Sequence, residues 1–205
     1  MAGLTLDEGK KLIAIARASI LRYMKERKPA DVSGSPARLM EKSGAFVTLE
    51  TYPEKELRGC IGFIMAVKPL AQTVADCAVS AAVGDPRFMA VNEKELDSLV
   101  VEVSVLTPLM KIGVEKPEHY AKAVQVGKHG LYIEDGYYSG LLLPQVPVEQ
   151  GWDAREFLSQ TCVKAGMPPN AWQGKRTGVY TFEAQIFSEK TPRGEVFEKK
   201  LKCKV

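Results

Sequence analysis

The segment Leu57-Arg58-Gly59-Cys60-Ile61-Gly62 sets a thiol beside a guanidinium and between two glycines. On a strand, period-two placement puts Leu57, Gly59, Ile61 and Phe63 on one face and Arg58, Cys60 and Gly62 on the other. Glycine weakens a strand interior, so two of them point to a bulge or to a close approach by another group. A neighbouring guanidinium stabilises a thiolate, each unit of pKa lowering being worth about 1.4 kcal/mol. That would be nucleophile chemistry. Alternatively, Arg58 pairs with a carboxylate and Cys60 simply packs. Spacing alone leaves both open.

Two loops carry further chemistry. In Asp85-Pro86-Arg87-Phe88 a rigid proline could present Arg87 to an anion, or Asp85 and Arg87 could form a salt bridge within a turn. In Gly127-Lys128-His129-Gly130 the paired glycines could let backbone N–H groups and Lys128 cradle an anion. His129 suits acid–base work with an ordinary pKa near 6.5, although a loop histidine is often a hydrogen-bonding structural residue. Glu102 and Asp85 are carboxylates that would orient His129 only if the fold brings them near it.

No nucleotide or metal motif accompanies these segments. Gly174-Lys175-Arg176-Thr177 lacks the upstream glycine of a P-loop, and GxGxxG, GxSxG and HExxH are absent. Cys60, Cys77, Cys162 and Cys203 form no CxxC pair, and His119 and His129 add no zinc spacing. The expectation is no metal, no cofactor, and reduced thiols in a cytoplasm.

The elements that must position these residues follow from periodicity. Thr5 and Glu8 form a capping box ahead of Leu12, Ile13, Ala16, Ile20, Tyr23 and Met24 at helical spacing. The opposite face holds Lys10, Arg17, Arg22, Lys25 and Glu26, and the helix ends near Lys28-Pro29. Ala45–Leu49 and Leu57–Ile64 read as a hairpin across a turn at Pro53 to Glu56. After Pro69 comes a helix whose apolar stripe includes Leu70, Val74, Cys77 and Ala81, stopped by Gly84 and Pro86. Leu99 to Leu106 alternates as a strand with one apolar and one partly polar face. Asp135-Gly136 joins two further strands, and Asp153 starts a helix burying Phe157, Leu158 and Cys162. Leu141 to Val148 reads as a buried strand end or a subunit contact, Val179 to Phe187 as a late strand, and about 190–205 as a basic solvated tail. Strands joined by short turns favour an α+β fold with antiparallel pairing over a doubly wound sheet.

Composition sets the outer limits. The chain has 205 residues with 45% hydrophobic and 26% charged, enough for a core of its own and unlike a disordered chain. A net charge of +3 is too small for a dedicated nucleic-acid-wrapping protein, and no RNP, KH or helix-turn-helix pattern is present. No apolar run approaches the roughly 20 residues of a membrane span, and the first residues lack a signal-peptide core.

Leu57-Arg58-Gly59-Cys60-Ile61-Gly62 resembles the signature hexapeptide of the AMMECR1 domain family. Asp85-Pro86-Arg87-Phe88 is similar to its DxRF element, and Glu102-Val103-Ser104-Val105-Leu106-Thr107-Pro108 to its ExSVLxP strand. Val126-Gly127-Lys128-His129-Gly130-Leu131 resembles its VGxHGL loop. Leu142-Leu143-Pro144-Gln145-Val146 and Gly151-Trp152-Asp153 extend the likeness, which runs from about Leu4 to Glu189. Lys128 stands where the resemblance leads one to expect arginine in many relatives, a change that keeps the charge and loses the planar fork. The resemblance implies an α+β fold of two unequal lobes, here a single domain over 1–205 made of two sublobes. It also implies association with Memo-like and radical SAM proteins, and it brings no assigned reaction.

Two functions fit these residues. In an enzyme, Cys60 is the nucleophile, Arg58 lowers its pKa, His129 is the acid or base, and Arg87 with Lys128 holds a small anionic substrate. In a binding module, the hexapeptide with Gly59 and Gly62, together with the His129 loop, docks a protein partner through Arg58, Arg87 and Lys128. Nucleic-acid binding has only weak support, and the oligomeric state, monomer or homodimer, is open.

Overall fold

The structure is a computed structural model that describes residues 3–201; Cys203 lies outside them. It is α+β, with antiparallel sheets flanked by helices. The chain up to Leu106 together with Gln185–Lys199 forms one compact unit, and Thr107–Ala184 forms another.

The first unit opens with α1 (Leu6–Glu26), whose capping box is made as the sequence indicates: Thr5 Oγ1 accepts from the Glu8 N–H, and Glu8 reaches back to the Thr5 N–H. The helix closes at Arg27, which adopts a left-handed φ of 57°. Strands β1 (Ala45–Thr51) and β2 (Leu57–Phe63) form the expected hairpin. Then come α2 (Leu70–Val83), the single turn α3 (Glu93–Leu96) and β3 (Leu99–Leu106). Late in the chain lie β8 (Ala184–Glu189) and β9 (Val196–Lys199), giving a five-stranded sheet in the order β2-β1-β3-β8-β9. Leu12, Ile13, Ala16 and Ile20 of α1 and Leu70, Val74, Cys77 and Ala81 of α2 share one core with Val47, Leu49, Val101 and Val103 of the sheet.

The second unit is a four-stranded sheet, β4-β7-β5-β6, built from β4 (Met110–Lys111), β5 (Gly130–Asp135), β6 (Tyr138–Leu142) and β7 (Gly178–Phe182). The β5–β6 turn uses Gly136 at φ +63°. Three helices accompany it: α4 (Tyr120–Ala123), α5 (Gln145–Gln150) and α6 (Ala154–Lys164), the last capped by Asp153 as expected. Its separate core contains Leu131, Ile133, Phe157, Leu158, Cys162 and Val179.

Several sequence expectations change. Arg17, assigned to the polar face of α1, is buried: its Nε and Nη2 donate to Glu189, and Nη1 and Nη2 also reach the carbonyls of Leu96 and Leu99. A guanidinium with all three nitrogens bonded and a carboxylate partner can be buried where a lone charge could not. The partly polar face of β3 is buried as well, with Glu102 at 2% and Ser104 at 1% exposure. The late strand from Val179 to Phe187 is two strands in two sheets, divided at Glu183. In Leu141 to Val148, Leu141 and Leu142 end β6 as a strand end, but residues 145–148 lie in helix α5. Val196–Lys199, placed in the tail, pairs with β8. For Arg17, for the two halves of the late strand and for Val196–Lys199, a tertiary partner decides what local periodicity left undetermined. No helix among the described residues is long and apolar enough to cross a membrane.

Candidate functional site around Cys60

Both glycines of the hexapeptide answer to close approaches. A Cβ on Gly59 would lie 2.2 Å from the Ala81 carbonyl oxygen, so its absence lets α2 settle on the sheet. A Cβ on Gly62 would lie 2.2 Å from the Phe46 ring. The ladder also shifts register here: Leu49 pairs with Gly59 and Glu50 with Leu57, which leaves Arg58 as a bulged residue. The bulge re-aims Arg58 toward α3.

Arg58 is held there as a fork. Its Nε donates to Glu95 Oε1, and its Nη2 donates to Glu95 Oε2 at 3.2 Å. Glu95 sits in the first turn of α3, where Asn92 caps the helix. The guanidinium also lies 5.8 Å from the centre of the Phe88 ring. Of the two arrangements the spacing leaves open for Arg58, the structure shows the pairing with a carboxylate, and the charges that act on the Cys60 thiol are those of Arg87, Glu102 and Asp85.

Arg87 forms a second fork. Its Nε and Nη2 donate to the two oxygens of Asp85 at 2.9 and 2.6 Å, and it lies 5.4 Å from the same Phe88 ring. Asp85 is buried, and its Oδ2 also accepts the Cys60 N–H at 2.9 Å. Arg87 Nη2 donates to the Cys60 carbonyl at 3.3 Å. The Arg87 guanidinium, with the Cys60 N–H, holds the Asp85 carboxyl well below the usual carboxylate range. The turn salt bridge and the contact with the hexapeptide are thus one structure.

Across the sheet, Cys60 pairs with Thr48, and Thr48 pairs with Glu102. Strand pleating sets all three side chains on one face, opposite the face that packs on α2. The Thr48 hydroxyl donates to Cys60 Sγ at 3.3 Å. Glu102 accepts from Lys199 Nζ at 3.0 Å. Burial is the largest influence on the Cys60 thiol and pushes its pKa up. The Thr48 hydrogen bond and Arg87 oppose that rise, while the carboxylates of Glu102 and Asp85 add to it. Cys60 is partly exposed, whereas Cys77 is buried with its pKa pushed up to about 12, and Cys162 is buried in the other core.

His129 and Lys128 belong to the second unit, whereas Cys60, Arg58, Asp85, Arg87 and Glu102 belong to the first. The His129 N–H donates to the Gln125 carbonyl at 2.9 Å, and the Gln125 N–H donates to His129 Nδ1 at 3.1 Å. Nδ1 is therefore an acceptor, and the ring proton sits on Nε2. Burial, aided by Lys128, lowers the His129 pKa and keeps the imidazole neutral. Lys128 faces Glu183 at 3.5 Å. No group of three or more His, Cys, Asp or Glu side chains fit to hold a metal occurs among the described residues.

Three contributors to the Cys60 site went unnoticed in the sequence: Thr48, Phe88 and Glu95. Thr48 was accessible in principle, since hairpin register sets it opposite Cys60. Glu95 was not, because only the bulge turns Arg58 toward it.

A model of the AMMECR1 family matches residues 13–187, and the chain belongs to that family. It is 51% identical over 198 residues to the protein MJ0810 of Methanocaldococcus jannaschii, covering 97% of this chain and 98% of that one. It is 48% identical over 199 residues to the protein MK0488 of Methanopyrus kandleri, covering 97% and 96%. The crystal structure of the uncharacterized protein PH0010 from Pyrococcus horikoshii matches with a TM-score of 0.92 at 48% identity, covering 95% of this chain and 98% of that one.

Proposed function

We propose that this AMMECR1-family chain is a binding module that docks a protein partner on the surface around Cys60, rather than a thiol-dependent enzyme. The observation that carries this reading is the pairing of both guanidiniums: Arg58 with Glu95 and Arg87 with Asp85. Neither is left as the dedicated counter-charge a Cys60 thiolate would need. Burial and two carboxylates keep the thiol protonated at neutral pH. His129, the base of the enzyme reading, uses Nδ1 as an acceptor within its own loop.

The same surroundings suit recognition. The Arg87 side chain is 47% exposed and lies over Phe88. Leu57 and Phe63 at the two ends of β2, Met65 and Val67 beyond it, and Met89 beside Phe88 are all exposed apolar side chains. Arginine with large apolar residues is the composition that anchors protein interfaces. The partner class of this reading is a Memo-like or radical SAM protein, the association that the family resemblance implies, and reduced thiols suit a cytoplasmic setting.

Titration of the purified chain against a Memo-like protein from the same cell tests this. Cys60→Ser should bind as the parent does, while Arg87→Ala and Arg58→Ala should each weaken binding about tenfold or more. Binding lost with Cys60→Ser, or unmoved by either arginine change, overturns the proposal.

A further inference from the structure

β2 is the outermost strand of its sheet. In an antiparallel ladder a residue either exchanges both backbone bonds with its partner or directs both away. Cys60 directs both away from β1: its N–H meets Asp85 Oδ2 at 2.9 Å, and its carbonyl meets Arg87 Nη2 at 3.3 Å. A carboxylate oxygen accepting the N–H, beside a guanidinium donating to the C=O, is the bonding pattern that the backbone of a neighbouring strand would offer. Two further bonds from Arg87 Nε and Nη2 to Asp85 hold the two side chains together, so they act as one rigid piece.

An open edge needs such a piece here. Exposed edge strands template pairing with another chain, and the usual guards are lysines, prolines or inward charges. From Leu57 to Phe63 the only charged side chain is Arg58, and Glu95 neutralises it. Leu57 and Phe63, at 41% and 46% exposure, make the two ends of the strand apolar. Two copies of β2 meeting antiparallel are self-complementary about a two-fold axis, and paired charges leave no net repulsion between them.

We propose that the Asp85–Arg87 pair is an edge cap: it fills the ladder positions a neighbouring strand would take at Cys60, and so keeps β2 from pairing with β2 of a second copy. The cap stands apart from the partner reading above and is tested on the purified chain alone. Sedimentation velocity over a wide loading range, with hydrogen exchange at the Cys60 amide, reads it out. The parent should keep one sedimentation coefficient and a protected Cys60 amide. Asp85→Ala should self-associate as loading rises, and at low loading its Cys60 amide should exchange about tenfold faster. Arg87→Gln, a change at a half-exposed side chain, frees only the carbonyl and should self-associate as well, which keeps the test decisive if Asp85→Ala does not fold. Adding Phe63→Lys to Arg87→Gln should restore the parent's sedimentation by charging the edge. Folded variants that sediment as the parent does at every loading overturn the proposal, as does association that Phe63→Lys leaves intact.

Discussion

At the scale of single residues, Arg58 takes one of the two arrangements its spacing leaves open, a pairing with a carboxylate. The adjacent guanidinium is occupied by Glu95, while burial and two carboxylates favour the neutral thiol. Alkylation of Cys60 followed against pH should therefore show a midpoint above the ordinary thiol value of about 8.5, and one below it would mean a stabilised thiolate. His129→Ala should leave that midpoint where it is. Asp85 behaves in the opposite sense. Its folded carboxyl titrates below the usual range, so its contribution is complete above the unfolded value near 4 and is lost as pH falls from there toward the folded value. Asp85→Asn should cost about 2–3 kcal/mol at pH 7, a difference that narrows in denaturant melts as pH drops below about 4.

At the scale of elements, the glycines of the hexapeptide are spacing devices. Gly59 brings the Ala81 carbonyl of α2 against β2, and Gly62 admits the Phe46 ring. Gly59→Ala should destabilise the chain by about 1–3 kcal/mol in chemical denaturation, because the obstructing atom is backbone and α2 must shift to make room. An unchanged midpoint would mean that α2 moves freely. The same packing shows what periodicity could convey. The apolar stripes of α1 and α2, the β1–β2 hairpin and the Asp153 cap were legible because each depends on local spacing. The division of Val179 to Phe187 into β7 and β8 was not legible, since both halves alternate equally well and only their partners differ. Nor was the burial of Arg17, which depends on Glu189, a residue 172 positions away.

At the scale of the whole molecule, the chain builds two cores, and residues 107–184 interrupt the sequence of the first unit between β3 and β8. Phe157 is fully buried in the second core. Phe157→Ala should cost about 3–5 kcal/mol, and native-state hydrogen exchange should speed up more at Leu131, Ile133 and Val179 than at Val47 and Val101. An equal rise in both sets would mean that the two cores melt as one cooperative unit.

By itself, the sequence determined the α+β class, the main helices and hairpins, the kinship and the short set of residues worth asking about, because capping, turns and side-chain period act over a few residues. Tertiary structure alone decided what those residues are to one another. Ionisation depends on burial and on charges within a few ångströms, and the chain brings Glu95 to Arg58, Asp85 to the Cys60 backbone and Thr48 to its sulfur only by folding.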